Sequence, residues 1–165
     1  MQIDINQWAF KYHDSEYLEW FSSKRKTKEI FYKMLKWKLL HRRINKDKAW
    51  KNWKKGNFDS YKLVTKAFLH HLKCPENYPI LDKNVWGAFR EIKGGINGRK
   101  IVKKPTNWEN HYINGYKNFF DELYREIEDK IKSTYEIKGV NIEIIKRRIL
   151  DQALWEYGRL LNNGQ

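Results

Sequence analysis

The chain is poor in residues that fix a shape covalently or break it. Cys74 is the one cysteine among 165 residues, so no intramolecular disulfide can form and a thiolate metal site cannot be completed. Its expected setting is therefore a reducing cytoplasm. Proline occurs three times, at Pro75, Pro79 and Pro105, which leaves few enforced helix stops. No apolar run approaches the ~20 residues of a membrane span. The opening residues, MQIDINQWAFKYHD, lack the basic-then-apolar order of a signal peptide. A soluble cytoplasmic protein with no membrane partner is the expectation.

Aromatic and basic residues are what the chain has in quantity. Eight Trp, ten Tyr and eight Phe carry large burial areas, enough for a real core in one domain of this length. The net charge is +14, and its placement is uneven. Between Lys24 and Lys66, sixteen Lys and Arg stand against three acids, Glu29, Asp47 and Asp59. A lysine-biased composition would account for lysine over arginine but not for that confinement. Localised excess charge is the footprint of a polyanion-binding face. The expected partner is DNA, with RNA as the other choice, and the expected location is cytoplasmic and nucleoid-associated.

Helical periodicity runs through most of the sequence. EYLEWF reads as a short helix with Ser15 as its cap. KTKEIFYKMLKWKLLHRR follows, with Ile30, Met34 and Trp37 on one face and Phe31, Leu35 and Leu39 beside it. KDKAWKNWKKG sets Trp50 and Trp53 three apart and stops at Gly56. FDSYKLVTKAFLHHLKC makes a helix whose first turn is expected near Asp59 and Ser60 and whose end is at Pro75. NVWGAFREI runs out at Gly94 and Gly95. The segment GGINGRKIVKKPTN reads as non-helical. Ile113, Tyr116, Phe119, Phe120, Leu123, Tyr124, Ile127 and Ile131 mark one long amphipathic helix, and Ile142, Ile145, Ile149, Ala153, Tyr157 and Leu160 mark the last. The expectation is an all-α single domain spanning residues 1–165, with six to eight helices.

Several chemistries lack support. His70 and His71 are adjacent and so point about 100° apart on a helix, which argues against a shared metal. GGING lacks the Lys-Ser/Thr of a phosphate loop. No metal and no cofactor are expected. Pro79, Asp82, Glu91 and Lys93 can be read as the P-x-x-D…E-x-K pattern of a metal-dependent nuclease, but that chemistry wants its acids on adjacent strands. Asp82 stands apart. It precedes a helix start near Asn84, where backbone N–H groups and the helix dipole favour a carboxylate. Pro79, Ile80 and Leu81 before it and Val85 and Trp86 after it suggest a half-enclosed setting. A plain helix cap accounts for its position equally well.

The stretch TKAFLHHLKCPENYPILDKNVWGAF resembles the helix-loop-aspartate-helix of the helix-hairpin-helix DNA glycosylase superfamily, its short bacterial members above all. MLKWKLLHRR upstream and RRILDQALWEYGRLL at the end are similar to that group too. The resemblance implies a catalytic Asp82, which would stabilise positive charge at the sugar C1′ or position water. It implies Lys66 as Schiff-base nucleophile, with Lys62 competing. Lys38, Arg42, Arg43, Lys54, Lys55, Lys62, Lys83 and Asn84 would contact nucleic acid, and Trp86 or Tyr78 would stack on a flipped base. The glycine-rich hairpin of the family is missing; only KKGNFDS occupies that region. Two readings follow: a DNA glycosylase cleaving an N-glycosidic bond, or a non-catalytic nucleic-acid-binding module on the same scaffold, phage or defence related.

Overall fold

The computed structural model describes residues 15–39, 43–94, 104–131 and 137–164. Among these residues there are seven α-helices and no strand, so the all-α expectation holds. Helix α1 (Ser15–Ser22) buries Tyr17 and Trp20, one turn apart. Helix α2 (Lys28–Leu39) buries Phe31, Met34, Leu35 and Leu39, a stripe that favours the Phe31 side over the Ile30 side. Helix α3 (Lys46–Lys55) is bounded by two local devices. The Asn45 side chain accepts from Lys48 N, and Gly56 closes the helix at φ 72°, a conformation that glycine adopts without strain.

Helix α4 (Leu63–Lys73) starts later than the expected turn at Asp59. Phe58 is buried at 3% exposure and the Tyr61 amide bonds back to the Phe58 carbonyl, so the chain turns there before entering the helix. Asp59 caps nothing; its carboxylate pairs with Lys66 at 2.6 Å. Helix α5 (Lys83–Gly94) ends where the glycines begin. The expected long amphipathic helix is also more structured than its pattern implies. It opens as a π-helix, Trp108–Lys117, continues as α6 (Asn118–Ile127) and ends in a 3-10 turn, Glu128–Lys130. The π register shows in the Tyr112 amide bonding to the Asn107 carbonyl five residues back, and the wider turn is fixed by the Asn107 side chain accepting from Asn110 N at 2.7 Å.

Helix α7 (Ile142–Asn163) is the longest element and carries buried charge. Arg147, Asp151 and Glu156 are each under a tenth exposed, a costly arrangement unless partnered. Arg147 donates to Asp121 at 2.6 Å and lies over the Phe120 and Tyr124 rings. Arg148 pairs with Asp151, and Arg159 pairs with Glu156. None of the described helices is long and apolar enough to cross a membrane.

The buried apolar residues form two clusters. One gathers α1, α2, α3 and the inner face of α4: Tyr17, Trp20, Phe31, Met34, Phe68, Leu69 and Leu72 among others. The other gathers α5, the π-helix, α6 and α7 with Leu63 and Ala67 of α4. The extended residues before Asp82 straddle the seam, because alternation sends Ile80 into the first cluster and Leu81 into the second.

The tightest approach at any described glycine lies beside that seam. At Gly158 of α7, a Cβ would fall inside the Asn84 carbonyl of α5. Gly158→Ala must push the two helices apart, and overpacking of this kind costs about 1–3 kcal/mol. Gly87→Ala meets nothing closer than Asn162 Nδ2 at 3.9 Å and should stabilise by about 0.5–1 kcal/mol through the helix interior. Urea unfolding of both variants measures the contrast; equal midpoints for the two would contradict it.

Candidate functional site

Asp82 is reached by a loop that three buried side chains hold from inside, two bonding to the loop itself and one to the last turn of α4 before it. Trp20 Nε1 donates to the Leu72 carbonyl at 3.1 Å. Tyr112 OH donates to the Pro79 carbonyl at 2.7 Å. His71 Nδ1 lies 2.6 Å from the Tyr78 carbonyl, which can only accept, so Nδ1 carries the proton and Nε2 accepts from Tyr17 OH at 3.1 Å. Burial pushes the His71 pKa down to about 3 and outweighs the upward pull of the Tyr78 carbonyl. The ring is a neutral strut between α1 and the loop.

At the loop's end Asp82 caps α5. Its Oδ1 accepts from Asn84 N at 2.8 Å and Val85 N at 3.1 Å, and its Oδ2 accepts from Lys38 Nζ. The two side chains are 19% and 15% exposed. Burial by itself raises the Asp82 pKa; the Lys38 charge and hydrogen bond and the two backbone amides together outweigh it and hold the carboxyl below the usual range. Asp82 is thus a rigid, ionised carboxylate at a half-enclosed position.

The other sequence-predicted residues are distributed more widely. Lys38 bridges from α2 to Asp82 and spends its charge there. Lys66 shares no hydrogen bond or ion pair with Asp82 among the described residues; it pairs with Asp59 and sits 4.6 Å from the centroid of the Trp108 ring, both contacts that a cation makes. Lys62 is exposed at the entry to α4. Trp86 is 6% exposed and packs on Phe89 and His111 at centroid distances of 5.1 and 5.8 Å. In this conformation it offers no face to a base, because the apolar turn after Asp82 points into the core. Tyr78 is half-buried against His70 at 4.6 Å. Lys83 is exposed, while Asn84 is tied to Asn162 at 2.9 Å. Arg43, Lys54 and Lys55 are exposed. Arg42 lies outside the described residues. The acids of the nuclease-like pattern are not brought together: Glu91 lies roughly 13 Å along α5 from Asp82 at 1.5 Å per residue, and Lys93 pairs with Glu122.

Sequence reasoning missed three features. One is the Lys38–Asp82 pair, between residues 44 apart. Another is the aromatic cluster in which His70 stacks on Trp108 at 4.8 Å and lies 4.6 Å from Tyr78, with the Tyr78 and Trp108 rings 6.4 Å apart; nothing in the spacing of His70 signalled it. Here burial first, and the Lys66 charge second, lower the His70 pKa to about 4. The third is a cleft of about 300 Å³ lined by Glu76, Asn77, Asp121, Tyr124, Arg125, Glu128, Glu143 and Arg147, none of them a predicted site residue.

The basic segment keeps its charge on the surface. Lys24, Arg25, Lys36, Arg43, Lys46, Lys48, Lys51, Lys54, Lys55 and Lys62 are all exposed, and none of the ten pairs with an acid among the described residues. Half of them lie on α3. Comparison with known protein families, with curated proteins and with solved structures finds no match in any of the three.

The two histidines make stability pH-dependent. Their folded values, about 3 and about 4, lie below the unfolded value of ~6.5. The unfolded chain therefore binds more protons in that window, and stability is full above pH ~6.5 and falls as pH drops towards 3. Asp82, also depressed, adds a further loss only below pH ~3.9. Urea midpoints measured from pH 7 to pH 4 should fall for wild type and fall less for a folded His71→Gln variant. Parallel slopes would show that His71 is not the group responsible.

Proposed function

We propose that this protein binds nucleic acid through the face built by α2, α3 and the turns that flank them. The observation that carries this reading is the set of ten exposed cations without acidic partners. Charges that stabilise the fold are paired, as at Arg147 and Arg148; these form no ion pair among the described residues, and Asp47 is the one acid set among the five on α3. A polyanion relieves their mutual repulsion, with phosphate contacts that position the chain without reading sequence. The basic tip of α3 is rigid, closed by Gly56 and by Lys73 Nζ donating to the Trp53 carbonyl at 2.9 Å, so little side-chain scaffold has to be ordered on binding.

A second reading is favoured by one observation, the rigid ionised state of Asp82. A carboxylate of that kind is what N-glycosidic cleavage uses to stabilise a developing oxocarbenium ion, and a DNA glycosylase of the helix-hairpin-helix type would place it there. Lys38 stands against it as long as the ion pair persists, since it satisfies the charge that the reaction would draw on. The binding reading needs no such rearrangement.

Binding to a labelled duplex should weaken steeply with salt. The logarithmic slope should be about −0.9 per phosphate neutralised, and Lys51, Lys54 and Lys55 changed together to Gln should reduce its magnitude by about 2 to 3. A slope near zero, or one that the triple variant leaves alone, would count against this face. The second reading is checked by incubating wild type and folded Asp82→Asn with duplexes carrying a panel of damaged bases, then treating with alkali to reveal abasic sites. Salt-sensitive binding with no product is the expected result. Product from wild type but not from the variant would establish the glycosylase instead.

A further inference from the structure

We infer that the strand bound by this face is unpaired, and that Tyr32 of α2 and Trp50 of α3 are the surfaces on which its bases stack. The inference rests on the nucleic-acid reading above and adds the form of the polymer. Both rings are half-buried. Tyr32 touches Lys46 and Asp47 of α3, four and three residues before Trp50, so the two rings share one side of the α2–α3 pair.

Each ring has a lysine over it. Lys28 and Lys46 lie 5.6 and 5.8 Å from the Tyr32 centroid, and Lys54 lies 5.5 Å from that of Trp50. These three lysines are exposed, and an exposed cation–π contact is weak enough for a base to displace. Lys46 and Lys54, which pair with no acid among the described residues, supply the second half of a nucleotide site: the base takes the ring face, and the ammonium takes the adjoining phosphate. A duplex cannot use the first half, because its base faces are already stacked on one another.

The rings are also held still. Trp50 stacks on Trp53 with centroids 5.4 Å apart and planes 10° apart, and the Tyr32 hydroxyl donates to Asp47. Asp47, the acid beside Tyr32, is paired with Lys28 as well, so it leaves no bare negative charge in the path of a strand. Fixed rings lose little entropy on contact, which is the condition for a stacking platform rather than a flexible patch.

The test is fluorescence anisotropy of the full chain with a labelled oligodeoxythymidine of about 16 nucleotides and with a duplex of the same length at the same salt. The single strand should bind about tenfold more tightly. Tyr32→Leu and Trp50→Leu, each checked for folding by circular dichroism, should each lose about tenfold for the single strand and less than about twofold for the duplex. Should Trp50→Leu fail to fold, Tyr32→Leu decides. Duplex bound as tightly as single strand, or single-strand affinity unchanged in the folded variants, would overturn this inference alone. Binding to neither polymer would overturn the nucleic-acid reading with it.

Discussion

An ionised carboxylate with 19% of its surface exposed is sustained at Asp82 because three donors converge on it. Two belong to the first turn of α5 and one to Lys38 of α2. That division matters for the whole molecule, since α2 belongs to one apolar cluster and α5 to the other. The pair stitches across the seam where Ile80 and Leu81 diverge into separate cores. A cap alone would define only where α5 starts; the ion pair also fixes how α5 stands against α2. The close approach of α7 to Asn84 secures the same turn from the opposite side.

This arrangement separates the two functional readings in physical terms. The residues around Asp82 are committed to one another: carboxylate to lysine, Asn84 to Asn162, Trp86 to the core. The lysines of α3 pair with no acid among the described residues, and their charge is turned outwards. A protein that only needed to fold would gain by pairing or removing such cations, because like charges at helical spacing destabilise a helix. That imbalance is what the proposed binding to a polyanion accounts for.

Local features were legible in the sequence, and relations between distant residues were not. Gly56 and Asp82 act within a few residues of themselves, so their capping roles could be read from spacing; Asn45 acts as locally but was not read as a cap. The helix interiors followed from apolar period, since Phe31, Met34 and Leu35 or Ile145 and Ile149 recur at helical intervals. The start of α4 was misread because Asp59 looks like a cap, while burial of Phe58 and attraction to Lys66 decide otherwise. The π register of residues 108–117 leaves no mark in a pattern that an α-helix also satisfies. Lys38 read as one cation among many in a basic run; nothing local distinguishes a lysine that reaches across a seam from one that faces solvent. The burial of Trp86 was not legible for a related reason, since the pattern does not say whether an aromatic residue near a candidate site faces the core or the surface.

Helix α4 has a consequence of its own. It gives Leu63 and Ala67 to one cluster and Phe68, Leu69 and Leu72 to the other, so neither cluster has a complete wall without it. Loosening the N-terminal helices would strip one face of α4, and loosening α7 would strip the other. The backbone amides of α4 should then exchange with solvent water only through the largest opening the protein makes, and the two halves should melt in a single transition. A helix shared between them in this way makes two small cores behave as one cooperative unit.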